Sequence, residues 1–367
     1  MPTPWQFRVV AAGHGDTTSL RRALTQNKPP IQSYVTSTKN SINKDWPELP
    51  EGVTWWHDFN LANLNESYGH VLDIEVAADR LQVPHPDKEL ANVTIDKSES
   101  VDRLFAWNDG VMQPTLGFAK SFLGLYAGTA LLHSCFDEQT TSLKICSGDK
   151  SRIVTVGHII ELDVVPRAKL VVGFGRPSSK WSSTKLPNQI DRATKTILWP
   201  LRQLANMCRA AETCYGYMQT EDEMVVCCFS GHGEEWTAAI MPIPWSRHGT
   251  DKLTTDLALW WLFMLAMGDP NRRALVNANE SIRINAWDII NTGEEGGWVR
   301  RHRYSGFEEY TNPPPGDMAA HLDAEGFSFE AFANVPIRGS ADFNVNNADL
   351  VNDCVIIDGP NFHAGSG

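Results

Sequence analysis

Ten consecutive residues, Arg176-Pro-Ser-Ser-Lys-Trp-Ser-Ser-Thr-Lys185, gather three cations, four serines, a threonine and one indole. That mixture suits an anionic ligand. Arg176 offers a planar fork to a phosphate or carboxylate, and Lys180 and Lys185 offer movable point charges. Trp181 offers a ring on which a base can stack. If a covalent step takes place here, Ser178 and Ser179 are the nearest hydroxyls and His158 is the candidate base. The same run also reads as a flexible loop whose lysines are only solvated. No Ser-His-Asp order in a recognisable setting accompanies it.

The elements on either side decide where these groups sit. RIVTVGHIIELDVV is rich in β-branched residues, and past the turn at Pro166-Arg167 comes KLVVGFGRP. These predict two antiparallel strands, the second almost wholly apolar and buried. LWPLRQLANMCRAAET repeats Leu201, Leu204, Ala205 and Cys208 at helical spacing, which predicts a helix entered through Pro200. Gln203 lies one turn into it, facing the cleft, and Cys208 reads as a buried small residue. CYGYMQTEDEMVVCCF predicts a strand, a turn at Thr220 to Glu223 and a strand ending at Phe229. The order is β, β, α, β, β, with the cations just past the second strand.

Residues 117–136, GFAKSFLGLYAGTALLHSCF, predict one long buried helix covering the sheet. TTDLALWWLFMLAM, residues 254–267, predicts a helix capped at Thr254 or Thr255 and stopped by Gly-Asp-Pro. Near the start, a helix over Thr17 to Thr25 capped by Asp16 is expected, and Gly13 with Gly15 reads as a plain turn rather than a phosphate loop. Trp55 to Phe59 reads as a packing plug. VLDIEVAADRL and SESVDRLFAW lean towards helix. GHGEEW reads as a joining loop whose His232, Glu234 and Glu235 are solvated rather than metal ligands. Loops and short strands follow residue 300, with a mobile end. The chain divides into an N-terminal extension (1–110), an α/β core (111–300) and a loop-rich C-terminal extension (301–367).

A net charge of −12 and a pI near 5.4 exclude a protein that coats nucleic acid through its overall field, though not one with a local basic groove. Seven cysteines without paired metal spacing, and no signal peptide, point to reduced thiols and a cytoplasmic location. Cys227-Cys228 makes a poor zinc site. No run of eighteen apolar residues is present, so no membrane span is expected.

The β, β, α, β, β order, with a lysine-like position past the second strand and a Gln on the next helix, resembles the PD-(D/E)XK nuclease-like fold. That is an α/β (α+β) core with a mixed sheet flanked by helices. More narrowly, PLRQLANMCRAAETCYGYMQTEDEMVVCCF, with PIPW and TTDLALWWLFMLAM, is similar to a group of fungal proteins whose strand pair reads V-P-D, then V-V-G-D-T-K-P. The resemblance covers about residues 140 to 290. It puts the first acid at His158, the second at Phe174 and the lysine at Arg176. Gln203 matches the Gln of a QxxxY variant whose Tyr position holds Met207. In the active fold the acids hold Mg²⁺ and the lysine polarises water. Imidazole, phenyl and guanidinium do neither, so a scaffold turned to another use is expected.

The fungal group includes the arginine-containing cyclodipeptide synthases. That resemblance implies acyl transfer from arginyl-tRNA and a second charged tRNA, without metal, ATP or cofactor. Arg176, Lys180 and Lys185 would hold the tRNA 3′ end, and Glu161 or Asp163 the arginine guanidinium. The alternatives are a non-catalytic nuclease-fold protein that binds nucleic acid or a protein partner, and a metal-dependent nuclease using Glu161.

Overall fold

Apolar runs too long for local structure alone must pair at a distance, and here they build one mixed sheet. A computed structural model describes residues 16–312 apart from 38, 51, 123–131, 136–141, 148–149, 165–166, 187–194, 233–234, 269–283 and 293–296. All of these fall in one compact unit, Met1–Pro313. The expectations for Gly13 and Gly15, for Glu234, for the turn residue Pro166 and for the chain beyond residue 312 lie outside the described residues.

The sheet strands are β1 (Val53–Trp55), β2 (Leu132–Cys135), β5 (His158–Leu162), β6 (Ala168–Gly175), β7 (Tyr215–Gln219), β8 (Glu223–His232) and β9 (Glu235–Pro244). A separate hairpin is made by β3 (Ser142–Ser147) and β4 (Lys150–Thr155). The spatial order is β1-β9-β8-β7-β6-β5-β2. Only β6/β7 and β9/β1 run parallel; the other neighbours are antiparallel. A smaller antiparallel sheet follows, of β10 (Trp287–Asn291), β11 (Trp298–His302) and β12 (Glu308–Thr311).

The longer helices and the first short one are α1 (Leu20–Leu24), α2 (Leu61–Leu72), α3 (Arg103–Phe122), α4 (Lys195–Ala211) and α5 (Thr255–Gly268). On one face of the sheet α4 packs its Leu201, Leu204, Ala205 and Cys208 against Val172, Phe174 and Met218. The other face carries α3 and α5. Every residue of α5 from Thr255 to Met267 is buried, including Trp260, Trp261 and Phe263. A helix apolar on all sides belongs in a core, where each such side chain contributes about 1.5–3 kcal/mol. Thr254 caps it by accepting from the Leu257 N–H at 3.2 Å, as its sequence predicts. Gly268 closes it where the Tyr304 carbonyl leaves no room for a Cβ.

Several expectations are corrected. The apolar run 117–136 is not one helix: α3 ends at Phe122, and Leu132–Cys135 is an edge strand paired from Leu132↔Leu162 to Cys135↔Ile159. Pairing with β5 satisfies the backbone groups of 132–135 that face it. Helix α4 starts at Lys195, so Pro200 lies inside it and removes one early intrahelical bond. Arg152 to Thr155 belongs to the β3/β4 hairpin, not to the strand of His158. Near the start, Thr17–Thr18 pairs with Val76–Ala77, and Ser19 rather than Asp16 caps α1. The same Val76–Ala77 strand breaks the expected helix VLDIEVAADRL. Of GHGEEW, expected as a loop, His232 and Glu235 are strand residues, paired at the ends of β8 and β9.

Of the packing plug expected at Trp55 to Phe59, Trp56 and Phe59 pack inward, while Trp55 is left exposed. Phe59 stacks on Trp261 at 4.1 Å, and Trp56 lies against both Phe59 and Tyr215. Among the described residues no helix is long and apolar enough to cross a membrane.

Candidate functional site

Because β6 and β7 are parallel with α4 between them, both strands end at one edge of the sheet. Ligands in open α/β sheets characteristically bind at such an edge. Arg176 is the first residue past β6, and its backbone N–H donates to the Gln219 carbonyl at the end of β7 (2.9 Å). Its side chain is only 7% exposed. Nη1 donates to Asn40 Oδ1 at 2.5 Å and Nη2 to Gln203 Oε1 at 2.8 Å, and the guanidinium lies over the Phe174 ring. Its Nε–H has no acceptor among the described residues. Burial pulls its pKa down to about 10, so the charge persists at neutral pH without a carboxylate bonded to it.

The rest of the Arg176–Lys185 run is folded onto two carboxylates that the sequence reading passed over. Glu221 accepts from the Ser178 backbone N–H at 2.9 Å and from Ser178 Oγ at 2.8 Å. Glu223 accepts from Ser182 Oγ at 2.9 Å, the Ser183 N–H at 2.6 Å and Ser183 Oγ at 2.5 Å. Both glutamates are buried. Ser179 Oγ donates to the Ser37 carbonyl at 3.2 Å. Lys185 Nζ turns back to the carbonyls of Ser178 and Ser179 at 3.2 and 3.0 Å. Trp181 is 1% exposed and donates its indole N–H to the Ile197 carbonyl, so it has no free face for a base. The half-buried Lys180 ammonium has no partner among the described residues.

Arg176, Ser178, Ser179, Lys180, Lys185 and Gln203 are thus brought together. His158, Glu161 and Asp163 are not. His158 pairs with Gly173 on β6 and faces α3 and α5, stacked on Phe105. Phe174 and Arg176 face α4, across the sheet. His158 Nδ1 is 2.7 Å from the Tyr217 hydroxyl, and Nε2 is 3.7 Å from Asp109. Burial pushes the Tyr217 hydroxyl well above its ordinary pKa, and Asn108 donates to it at 3.3 Å. This network lies in the core on the other face of the sheet, which removes His158 as a base for Ser178.

Glu161 stands opposite Lys169. Arg176 is seven residues further along, or about 23 Å at about 3.3 Å per residue. Glu161 and Asp163 instead meet Arg167, at 3.9 and 3.6 Å. They lie at the far end of the strand pair and cannot share a ligand with Arg176.

The residues at the two expected acid positions therefore point to opposite faces, and neither supplies an oxygen ligand. Among the described residues no cluster of three metal-ligating side chains occurs. Cys208 is fully buried, as expected, and burial raises its pKa well above the usual thiol range, which keeps it an unreactive thiol. One signal pointed to the missed glutamates: Glu221 and Glu223 follow β7 directly, so any parallel pairing of β6 with β7 brings them to the edge that holds Arg176. Compared with protein-family models, curated proteins and solved structures, the chain matches none.

Proposed function

We propose that this protein takes the acceptor end of charged tRNA at the edge where β6 and β7 end. There it carries out the acyl transfer implied by its resemblance to arginine-containing cyclodipeptide synthases on a nuclease-like core. The observation that carries this reading is Arg176, a buried cation with an unfilled N–H and no bonded carboxylate, held between two neutral amide oxygens. Such a group favours an anion, and the phosphodiester that precedes the terminal adenosine supplies one. The ester of charged tRNA supplies the driving force for joining an arginyl and a second aminoacyl group. Of the carboxylates suited to an arginine side chain, Glu221 is at this edge, while Glu161 and Asp163 are not.

A second reading, binding of a nucleic-acid end without chemistry, is favoured by the serines. The hydroxyls of Ser178, Ser182 and Ser183 hold the loop onto Glu221 and Glu223, and the expected base, His158, is on the other face of the sheet. A nuclease centre has no comparable support, since His158 and Phe174 stand at the acid positions.

Incubation with arginyl-tRNA and each other charged tRNA, followed by mass spectrometry, tests the first reading. A cyclic dipeptide that disappears in Arg176→Gln supports it. If no pair gives product while tRNA binding still depends on Arg176, the second reading stands. If tRNA is not bound, both fail.

A further inference from the structure

Between Gln32–Ser33, which pairs with Thr94–Ile95, and β1, the chain crosses α4 and the 176–186 loop as a strap, residues 40–49. Side chains of the body hold it by its oxygens. Arg202 on α4 donates Nε to the Pro47 carbonyl at 2.8 Å and Nη2 to the Trp46 carbonyl at 2.7 Å. Arg209 reaches the Asp45 carbonyl at 3.3 Å, and Arg176 takes Asn40. Trp46 packs edge-on against Trp199 at 6.2 Å, and the Arg202 guanidinium lies over that same Trp199 ring at 4.2 Å.

The strap is anchored at its end, where Leu49 is buried in the core and the Trp236 N–H donates to the Glu48 carbonyl at 2.9 Å; three features mark the stretch before it, residues 40–47, as a cover. Among the described residues, the one backbone–backbone bond made by N–H groups of residues 35–47 is internal, from the Trp46 N–H to the Asn43 carbonyl. Ile42 is left 63% exposed. The acceptors facing Arg176 and Arg202 are neutral carbonyl and amide oxygens, and the nearest carboxylate, the exposed Glu48, stands 3.8 Å from Arg202.

Beneath the strap, Arg202 and Arg209 are two turns apart on α4, about 10.5 Å at 1.5 Å per residue. Gln203, which holds Arg176, is the neighbour of Arg202. Guanidiniums in a row beside an indole are what a single-stranded nucleic acid needs for its phosphates and bases.

We propose that α4 and the adjoining end of β6 form a binding face for an RNA backbone, which the chain's own strap occupies here with carbonyl oxygens in place of phosphate oxygens. This rests on the reading that the protein takes a tRNA end, and it adds that RNA enters by displacing residues 40–47.

The test uses the full chain and an uncharged acceptor-stem RNA ending in CCA, with trypsin as the probe of strap residues Lys39 and Lys44. Saturating RNA should speed cleavage there several-fold. Arg202→Gln should weaken binding and flatten the dependence of log K on log salt by about 0.7, one phosphate contact on a single strand. Because that variant also loosens the strap, a loss of affinity despite a looser cover separates phosphate contact from gating.

Trp46→Ala, which loosens the strap, should bind RNA more tightly than the wild type; no gain in that variant overturns the proposal. RNA binding with unchanged or slowed cleavage and an unchanged salt slope also overturns it, and leaves the charged-tRNA reading intact. The cyclic dipeptide assay judges that reading separately.

Discussion

His158 and Phe174 sit on adjacent strands yet on opposite faces of the sheet, because His158 pairs with Gly173. Tyr217 fills the space above that glycine. A Cβ at residue 173 would lie 2.5 Å from the Tyr217 Cζ and Oη. Gly173→Ala should therefore overpack the core by about 1–3 kcal/mol, seen as a lower urea midpoint with an unchanged m-value. An unchanged midpoint would mean that Tyr217 can move aside.

Glu223 gathers three donors from Ser182 and Ser183. Glu223→Ala leaves the buried Ser183 donors unmatched, at about 1–3 kcal/mol for each group. It should free the Arg176–Lys185 loop, so that amide exchange there rises ahead of exchange in β6. Glu223→Gln, which keeps one carbonyl oxygen, should show a smaller effect.

The Lys28 ammonium contacts Asp256 at 2.6 Å, with both side chains almost wholly buried, and lies 3.9 Å from the centre of the Trp245 ring. Trp107 adds an N–H to the same carboxylate at 3.3 Å. Lys28→Met strands a buried charge and should cost about 3–5 kcal/mol in urea unfolding. Lys28→Met with Asp256→Leu should recover most of it. A double variant no better than the single would show that the pair acts through something other than its charge.

His302 is fully buried, donating to the Ile284 carbonyl at 2.9 Å and accepting from the Ser305 N–H at 3.1 Å. Burial holds its pKa below the usual histidine value, against smaller opposing effects of the Ile284 carbonyl and Glu66. His70, stacked on Phe307, is held down to about 4 by burial and by His302. Both stay neutral when folded but take up protons when unfolded below about pH 6.5. Stability is therefore complete above about 6.5 and falls as pH drops towards the folded values. His70 stands partly in solvent, so His302 should dominate. The fall in urea midpoint between about pH 7 and pH 5 should be shallower in His302→Gln, and an identical slope would remove His302 as its source.

The β, β, α, β, β order could be read from the sequence because β-branched runs and helical spacing are local signals, and Thr254 announced its helix as a cap does. The edge strand at Leu132–Cys135 could not, since an apolar run without a period reads equally as helix or strand until its partner, β5, is known. The site divides in the same way. Arg176 with Gln203 was visible from strand, loop and helix in succession. Glu161 and Asp163 were misplaced because chain order does not reveal which end of a strand pair a residue occupies. Glu221 and Glu223 lie in the expected turn at Thr220 to Glu223, and only the parallel pairing of β6 with β7 brings them under the serines.

Helix α5 follows every strand of the large sheet in chain order. During synthesis, the apolar side chains that it covers wait with their partner still in the ribosome. The nascent sheet therefore passes through a stage with one sticky side, when a holding chaperone has something to grip, and a ribosome stalled before residue 255 would release a chain prone to clump.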